Sequence, residues 1–266
     1  MAYDTKIHIA RIQQMASFST IDAQRMQEVF EAIEGERNLS TDDSTKTGAA
    51  VVSPGGADVV AIVHNGLPAG VADRPDRRER PRKYGFWEHA ERRAVYACAA
   101  AGQSTLGAHL LCSHFPCADC ARAVIESGMA SITVNGGLLA APLVARFFDS
   151  MRDATEMLNE SPTSLSVWFP AVASTSGADI DVLGAIERIG GAGAVDAEKV
   201  VLAAGIHSGE AYQHDGRLHV AFRSAGRVAV LRFHGGDVVD WASFGETVDF
   251  GSGPVDAAAA LIACQF

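Results

Sequence analysis

Two short runs constrain this chain more than any other feature of it. The first is His89-Ala90-Glu91, and the second, 25 residues after Glu91, is Pro116-Cys117-Ala118-Asp119-Cys120. Imidazole and thiolate are good zinc ligands, and the Cys-x-x-Cys spacing lets both sulfurs reach one ion from a single turn. For His89 to join them, the fold must bring two distant segments together. Pro116 suits a turn entering a helix, and Ala90, Ala94, Val95 and Cys98 give the segment after His89 one apolar helical face. Each run is therefore predicted to open a helix. The partial positive charge of a helix start favours ionised sulfur.

The residue types also say what kind of site this is. Three protein ligands leave the fourth position of a tetrahedral zinc ion to water, which is the catalytic arrangement, whereas a structural site needs a fourth protein ligand. His114 is the nearest candidate for that fourth place. A Cys-x-x-Cys pair alone would also suit a redox couple or half of a structural zinc knot. Glu91 points to the catalytic reading. Zinc lowers the pKa of bound water, and a nearby carboxylate can take that proton and return it to a leaving group. His89, Cys117 and Cys120 are thus the candidate zinc ligands and Glu91 the candidate proton shuttle.

Around these runs the pattern is α/β. Apolar residues from Ile21 to Ile33 recur at helical spacing, and the polar stretch from Glu34 to Lys46 reads as a loop. Gly48–Ser53 and Asp58–His64 are β-rich and flank Pro54-Gly55-Gly56, turn chemistry that predicts a hairpin. A Gly-, Pro- and Arg-rich loop runs from Asn65 to Lys83. The helix from His89 ends near Ala101, a strand follows at His109–Cys112, and a second helix runs from near Cys117 to Gly128. A strand at Ser131–Val134, a long helix at Leu139–Leu158 and a strand at Ser164–Phe169 complete the alternation. This order predicts helices layered on a mixed sheet. The length of the last helix permits the two strands it joins to be parallel.

At this point the sequence resembles a known family. The order H-x-E then P-C-x-x-C is that of zinc deaminases acting on nucleobases. Residues from about Gly48 to Phe169 resemble the cytidine and deoxycytidylate deaminase superfamily, most of all its deoxycytidylate branch. Four stretches carry the likeness: HNGLPAGVAD (His64 to Asp73), RKYGFWEHAERRAVY (Arg82 to Tyr96), SHFPCADCARAVIESG (Ser113 to Gly128), and the long helix before SLSVWF. The resemblance implies a three-layer α/β/α sandwich with a mixed five-stranded sheet. It implies metal binding by His89, Cys117 and Cys120 and proton transfer by Glu91. It further implies that Asn65 touches a sugar and that the backbone at Ala90 meets the pyrimidine edge. Asn65 also has a local reading, since Asn-Gly is a favoured turn pair. Where related sequences usually carry Asn, this chain has Arg93, a residue able to pair with a phosphate or to point outward.

Composition narrows the partners. The net charge is −10, and a duplex-binding protein usually presents a basic face, so duplex nucleic acid is disfavoured. No apolar run approaches the roughly 18 residues of a membrane span, and the first residues hold no secretory apolar core, so a cytoplasmic location is expected. Five cysteines, an odd and sparse set, do not make a disulfide framework. Cys98, Cys112 and Cys264 read as buried small hydrophobes. The loop from Arg74 to Lys83 holds six basic and two acidic residues. It fits either internal ion pairs or a contact with phosphate or another subunit.

After Pro170 the composition changes. Ala173–Gly177 looks like a linker, and residues 170–266 carry 12 acidic against 6 basic side chains. Lys199–Ala204, Leu218–Arg223 and Arg227–Phe233 read as strands and Asp256–Ala263 as a short helix. The expected organisation is a deaminase domain over 1–170, with an N-terminal helical segment of about 1–45, and a small α+β domain over 178–266 without a second active site. His207, Glu210 and His214 there read as structural residues. The expected function is zinc-dependent hydrolytic deamination of a cytosine-type nucleotide such as dCMP by a homo-oligomer. The alternatives are the same chemistry on free cytosine, guanine, a nucleoside or a modified pyrimidine, or an inactive zinc-stabilised binding module. RNA adenosine editing fits the acidic chain less well.

Overall fold

The computed structural model describes residues 21–139, 141–169, and the segments 209–214, 217–224, 227–234, 237–244 and 248–252. The chain forms two compact units, Met1–Asn135 with Glu156–Leu165, and Gly136–Thr155 with Ser166–Phe266. The expected linker Ala173–Gly177, the strand Lys199–Ala204, the helix Asp256–Ala263, His207 and Cys264 lie outside the described residues.

In the first unit, helix α1 (Ala23–Asn38) opens where the Asp22 carboxylate accepts a hydrogen bond from the Arg25 backbone N–H at 2.8 Å. The helix runs five residues past Ile33, into a stretch whose polarity predicts a loop. The reason is local: Glu34 pairs with Arg37, and Glu36 lies 2.7 Å from His64 Nδ1, so these polar residues are a helix face and not a break. Strands β1 (Gly48–Val52) and β2 (Val59–His64) pair antiparallel as the expected hairpin. Helix α2 (Ala90–Ala100), β3 (His109–Cys112), helix α3 (Ala118–Glu126), β4 (Ser131–Asn135), helix α4 (Ala141–Glu160) and β5 (Ser164–Trp168) follow.

The sheet order is β2-β1-β3-β4-β5, with β1 antiparallel to β3 and β3 parallel to β4. The Ser164 N–H donates to the Ala130 carbonyl at 2.9 Å, so β5 begins beside the start of β4. Strand β1 is buried along its whole length, which requires cover on both faces. Helices α1 and α2 both pack on β1 and β2 and supply it. Gly48 marks how close α1 comes, because a Cβ there would stand 2.9 Å from the Ile33 carbonyl oxygen.

The second unit holds a five-stranded antiparallel sheet: β6 (Gly209–His214), β7 (Arg217–Ser224), β8 (Arg227–His234), β9 (Asp237–Phe244) and β10 (Val248–Ser252), in sequential order. Its strands β7 and β8 cover the two expected at Leu218–Arg223 and Arg227–Phe233, and they pair antiparallel. Within this unit the Arg232 guanidinium is buried, paired with Asp240 and Asp149 and seated 4.3 Å over the Phe148 ring. No helix among the described residues is long and apolar enough to cross a membrane.

Candidate active site

Both metal-ligating runs stand at helix starts. His89 is the N-cap of α2 and Cys117 the N-cap of α3, each with extended backbone (φ −72°, ψ 149° and φ −77°, ψ 169°). Neither side chain caps its own helix, which leaves the imidazole and the thiol free to face each other. The entry to α2 is anchored from behind. Gly66 and Glu88 exchange backbone hydrogen bonds at 3.1 and 2.8 Å, tying the turn after β2 to the residue before His89.

His89 Nδ1 lies 3.5 Å from the sulfurs of both Cys117 and Cys120, and the two sulfurs are 3.5 Å apart. A disulfide bond is far shorter, about 2.05 Å. A tetrahedral ion with Zn–S near 2.3 Å and Zn–N near 2.0 Å separates its ligand atoms by roughly 3.5–3.8 Å. The triangle therefore matches one face of a zinc tetrahedron. Among the described residues no fourth His, Cys, Asp or Glu joins the group. His114 instead has Nδ1 2.8 Å from Ser113 Oγ. The donor set fits a zinc ion with one coordination position left over.

The site is electrostatically tense. Its contact with the Cys120 sulfur holds the Cys117 thiol down to about 3, with His89 adding to the effect. The same contact with Cys117 pushes Cys120 up, and burial adds to the rise. Cys117 raises His89 in turn, against the effect of burial. Glu91, in the first turn of α2, is only 4% exposed. Burial pushes its carboxyl above the ordinary range, with Cys117 adding to the rise and His89 opposing it. A carboxyl shifted upward holds a proton more readily than a free one, which suits a group that takes up and hands on protons.

Residues 20–135 match the model of the cytidine and deoxycytidylate deaminase zinc-binding region. An uncharacterized deaminase from the luxG 3' region of Aliivibrio fischeri is 33% identical over 103 residues, 39% of this chain and 67% of that protein. This chain belongs to the cytidine and deoxycytidylate deaminase family. Among solved structures, the dCMP deaminase of cyanophage S-TIM5 with dCMP and dUMP is 21% identical (TM-score 0.44, covering 56% of this chain and 100% of that one). The guanine deaminase of Nitrosomonas europaea is 19% identical (TM-score 0.36, 59% and 83%).

The other residues picked from the deaminase sequence behave in different ways. Ala90 is fully buried at the first position of α2. Asn65 is buried and its amide is engaged: Oδ1 accepts from the Thr47 N–H at 2.8 Å, and Nδ2 donates to Asp42 Oδ2 and the Thr45 carbonyl, both at 3.0 Å. Arg93 donates from Nη1 to the His64 carbonyl at 2.7 Å and presses on Gly66, where a Cβ would sit 2.8 Å from Nη1. The Arg-rich loop is laced with ion pairs, Arg74 and Arg82 to Asp76, Arg78 to Asp73 and Asp43, and Lys83 to Asp42.

One residue beside the candidate site escaped the sequence reading. Arg92 points its Nη1 at both sulfurs, 3.7 Å from Cys120 and 4.0 Å from Cys117, while Glu88 fixes the guanidinium from the other side. Cys120 and Glu88 hold this arginine more firmly cationic than usual, against the effect of burial. The signal available in sequence was its i+3 spacing from His89, which turns it toward α3, but that needs the two helices to be packed side by side.

Proposed function

We propose that this chain is a zinc-dependent hydrolytic deaminase of a cytosine-type nucleotide, with dCMP the first substrate to try. The observation that carries this reading is the His89–Cys117–Cys120 triangle, three ligands with zinc spacing and no fourth among the described residues, beside a buried Glu91. When bound, zinc supplies a water of lowered pKa for attack on the ring carbon that bears the amino group. Glu91 would take a proton from the attacking water, pass it to the ring nitrogen, and serve again as the amine departs. One carboxylate suffices because the proton is handed on. The balance is amino-heterocycle plus water to oxo-heterocycle plus ammonia. Ala90, at the helix start between His89 and Glu91, offers its backbone to the pyrimidine edge, and Asn65 the remaining acceptor capacity of its Oδ1 to a sugar hydroxyl.

The choice of dCMP rests on the four sequence stretches that resemble the deoxycytidylate branch. A second reading has its own support. The cations nearest to hand are largely engaged, Arg93 on a backbone carbonyl and the 74–83 loop on its carboxylates. That favours the same chemistry on an uncharged base or nucleoside. Ammonia release from cytosine, cytidine, deoxycytidine, dCMP and guanine by zinc-loaded protein, with Glu91→Gln as control, tests both. Turnover of dCMP that vanishes in Glu91→Gln supports the first reading, and turnover of a base or nucleoside alone supports the second. A zinc-replete protein that releases ammonia from none of them is an inert zinc-stabilised module, and the proposal falls.

A further inference from the structure

Asp42 stands at the centre of a buried polar cluster that none of the steps above uses. It is 4% exposed, and so carries a charge that must be satisfied within the fold. Its Oδ1 accepts from the Ser44 backbone N–H at 2.8 Å, the Ser44 hydroxyl at 2.9 Å and the Thr45 N–H at 3.1 Å, which closes a turn ahead of β1. The same oxygen lies 2.5 Å from the ammonium of Lys83, the last residue of the Arg-rich loop, which is itself buried and sits 5.2 Å from the Trp87 ring. The other oxygen, Oδ2, takes a hydrogen bond from Asn65 Nδ2.

These contacts leave the Asn65 amide no freedom. The Thr47 N–H needs an acceptor and the Asp42 carboxylate needs a donor, so the amide can be oriented in one way only. Both Nδ2 hydrogens are spent, one on Asp42 and one on the Thr45 carbonyl. What is left is one lone pair on Oδ1.

We propose that Asp42, neutralised by Lys83, is a positioning residue for substrate recognition: it locks Asn65 so that this residue can only accept a hydrogen bond, which selects ligands presenting a hydroxyl or amine donor there. The proposal rests on the reading that Asn65 faces the substrate. The loop at 74–83 is thereby tied to the recognition residue through Lys83, across 41 positions of sequence to Asp42 and a further 23 to Asn65.

Two measurements on the full-length zinc protein test it. The first is kinetic, with dCMP as probe. Asp42→Asn and Lys83→Met should keep full zinc content, raise KM about tenfold and leave kcat within about threefold. Asn65→Ala should do the same, and Asp42→Asn added to Asn65→Ala should have no further effect, because residues acting through one contact are not additive. Effects that multiply, or a fall in kcat with zinc lost, would show that Asp42 serves the fold alone and would overturn the proposal. The second needs no turnover: NMR of the Asn65 side-chain amide should show two slowly exchanging protons, lost in Asp42→Asn. An amide that exchanges freely in the unaltered protein overturns the lock. If the lock is present but nothing in the substrate panel is deaminated, the functional reading has failed and the selection claim fails with it.

Discussion

His89 Nδ1 and the Cys117 sulfur stand 3.5 Å apart although 28 positions separate them, and each belongs to the residue that caps a helix start. The pairing of two N-caps directs the positive ends of α2 and α3 at the same point, so that negative charge on the sulfurs is favoured there. It also explains why neither residue caps in the ordinary way.

From this arrangement we expect one zinc per chain. Metal analysis of purified protein should give a 1:1 ratio, and Cys117→Ser/Cys120→Ser should lose it. Ligation requires deprotonated sulfur and neutral imidazole, so acidification should release the metal with proton uptake. Undiminished zinc in the double variant would show that the metal is held elsewhere.

Glu91→Gln should retain zinc and the fold, since the side chain keeps its size, while kcat falls by about 10²–10⁴ or more through loss of proton transfer. Unchanged kcat on the true substrate would remove Glu91 from the mechanism.

Arg92→Leu removes the cation that faces both sulfurs. Groups that orient and neutralise metal ligands typically contribute 10–100-fold in metal affinity. Zinc competition with a chelator should therefore show weakening in that range, with the loading threshold moved to higher pH because the thiolates lose a stabilising charge. Equal affinity in the two proteins would make Arg92 a surface ion-pair partner of Glu88 and nothing more.

Asp42 predicts the acid limit. Burial raises this carboxyl, but the hydrogen bonds from Lys83, Ser44 and Thr45 outweigh that and hold it below the ordinary range. A lowered folded value means stability that is present above the unfolded value, about 3.9, and lost as pH falls through the folded one. Asp42→Asn should thus be less stable than the unaltered protein at neutral pH, and urea unfolding should show that gap narrowing below about pH 4. A gap independent of pH would mean the charge of Asp42 is not what stabilises the turn.

The site was legible where chemistry and spacing are local, and illegible where partners come from afar. Cys-x-x-Cys and His-x-Glu declare themselves within five residues, and the helix and strand alternation around them follows from periodicity. The lock on Asn65 does not, because Asp42 and Lys83 have no common window. The second sheet shows the same limit. Strand β9 carries Asp240, a poor strand residue by itself, yet its register partner is Arg232, which neutralises it. Strand β10 carries Gly251, opposite Trp241, whose ring fills the place a Cβ would take at 2.5 Å. Each residue looks like a strand breaker until its neighbour on the next strand is known.

Arg93 decides between the two substrate readings. Its Nη1 holds the His64 carbonyl at the end of β2, so Arg93→Ala should destabilise the fold whatever the substrate, by about 1.5–3 kcal/mol for a hydrogen bond to a charged group. The remaining guanidinium N–H groups are the part free to pair with a phosphate. If the substrate is a nucleotide, Arg93→Ala should raise KM for dCMP several-fold more than KM for deoxycytidine, measured below the unfolding temperature of the variant. Arg93→Lys should not restore the difference, since a point charge on a flexible stem reproduces neither the strap to His64 nor paired donors. Equal changes for dCMP and deoxycytidine would mean that Arg93 shapes the turn at Asn65-Gly66 without reading phosphate, and the uncharged base or nucleoside would become the substrate to pursue.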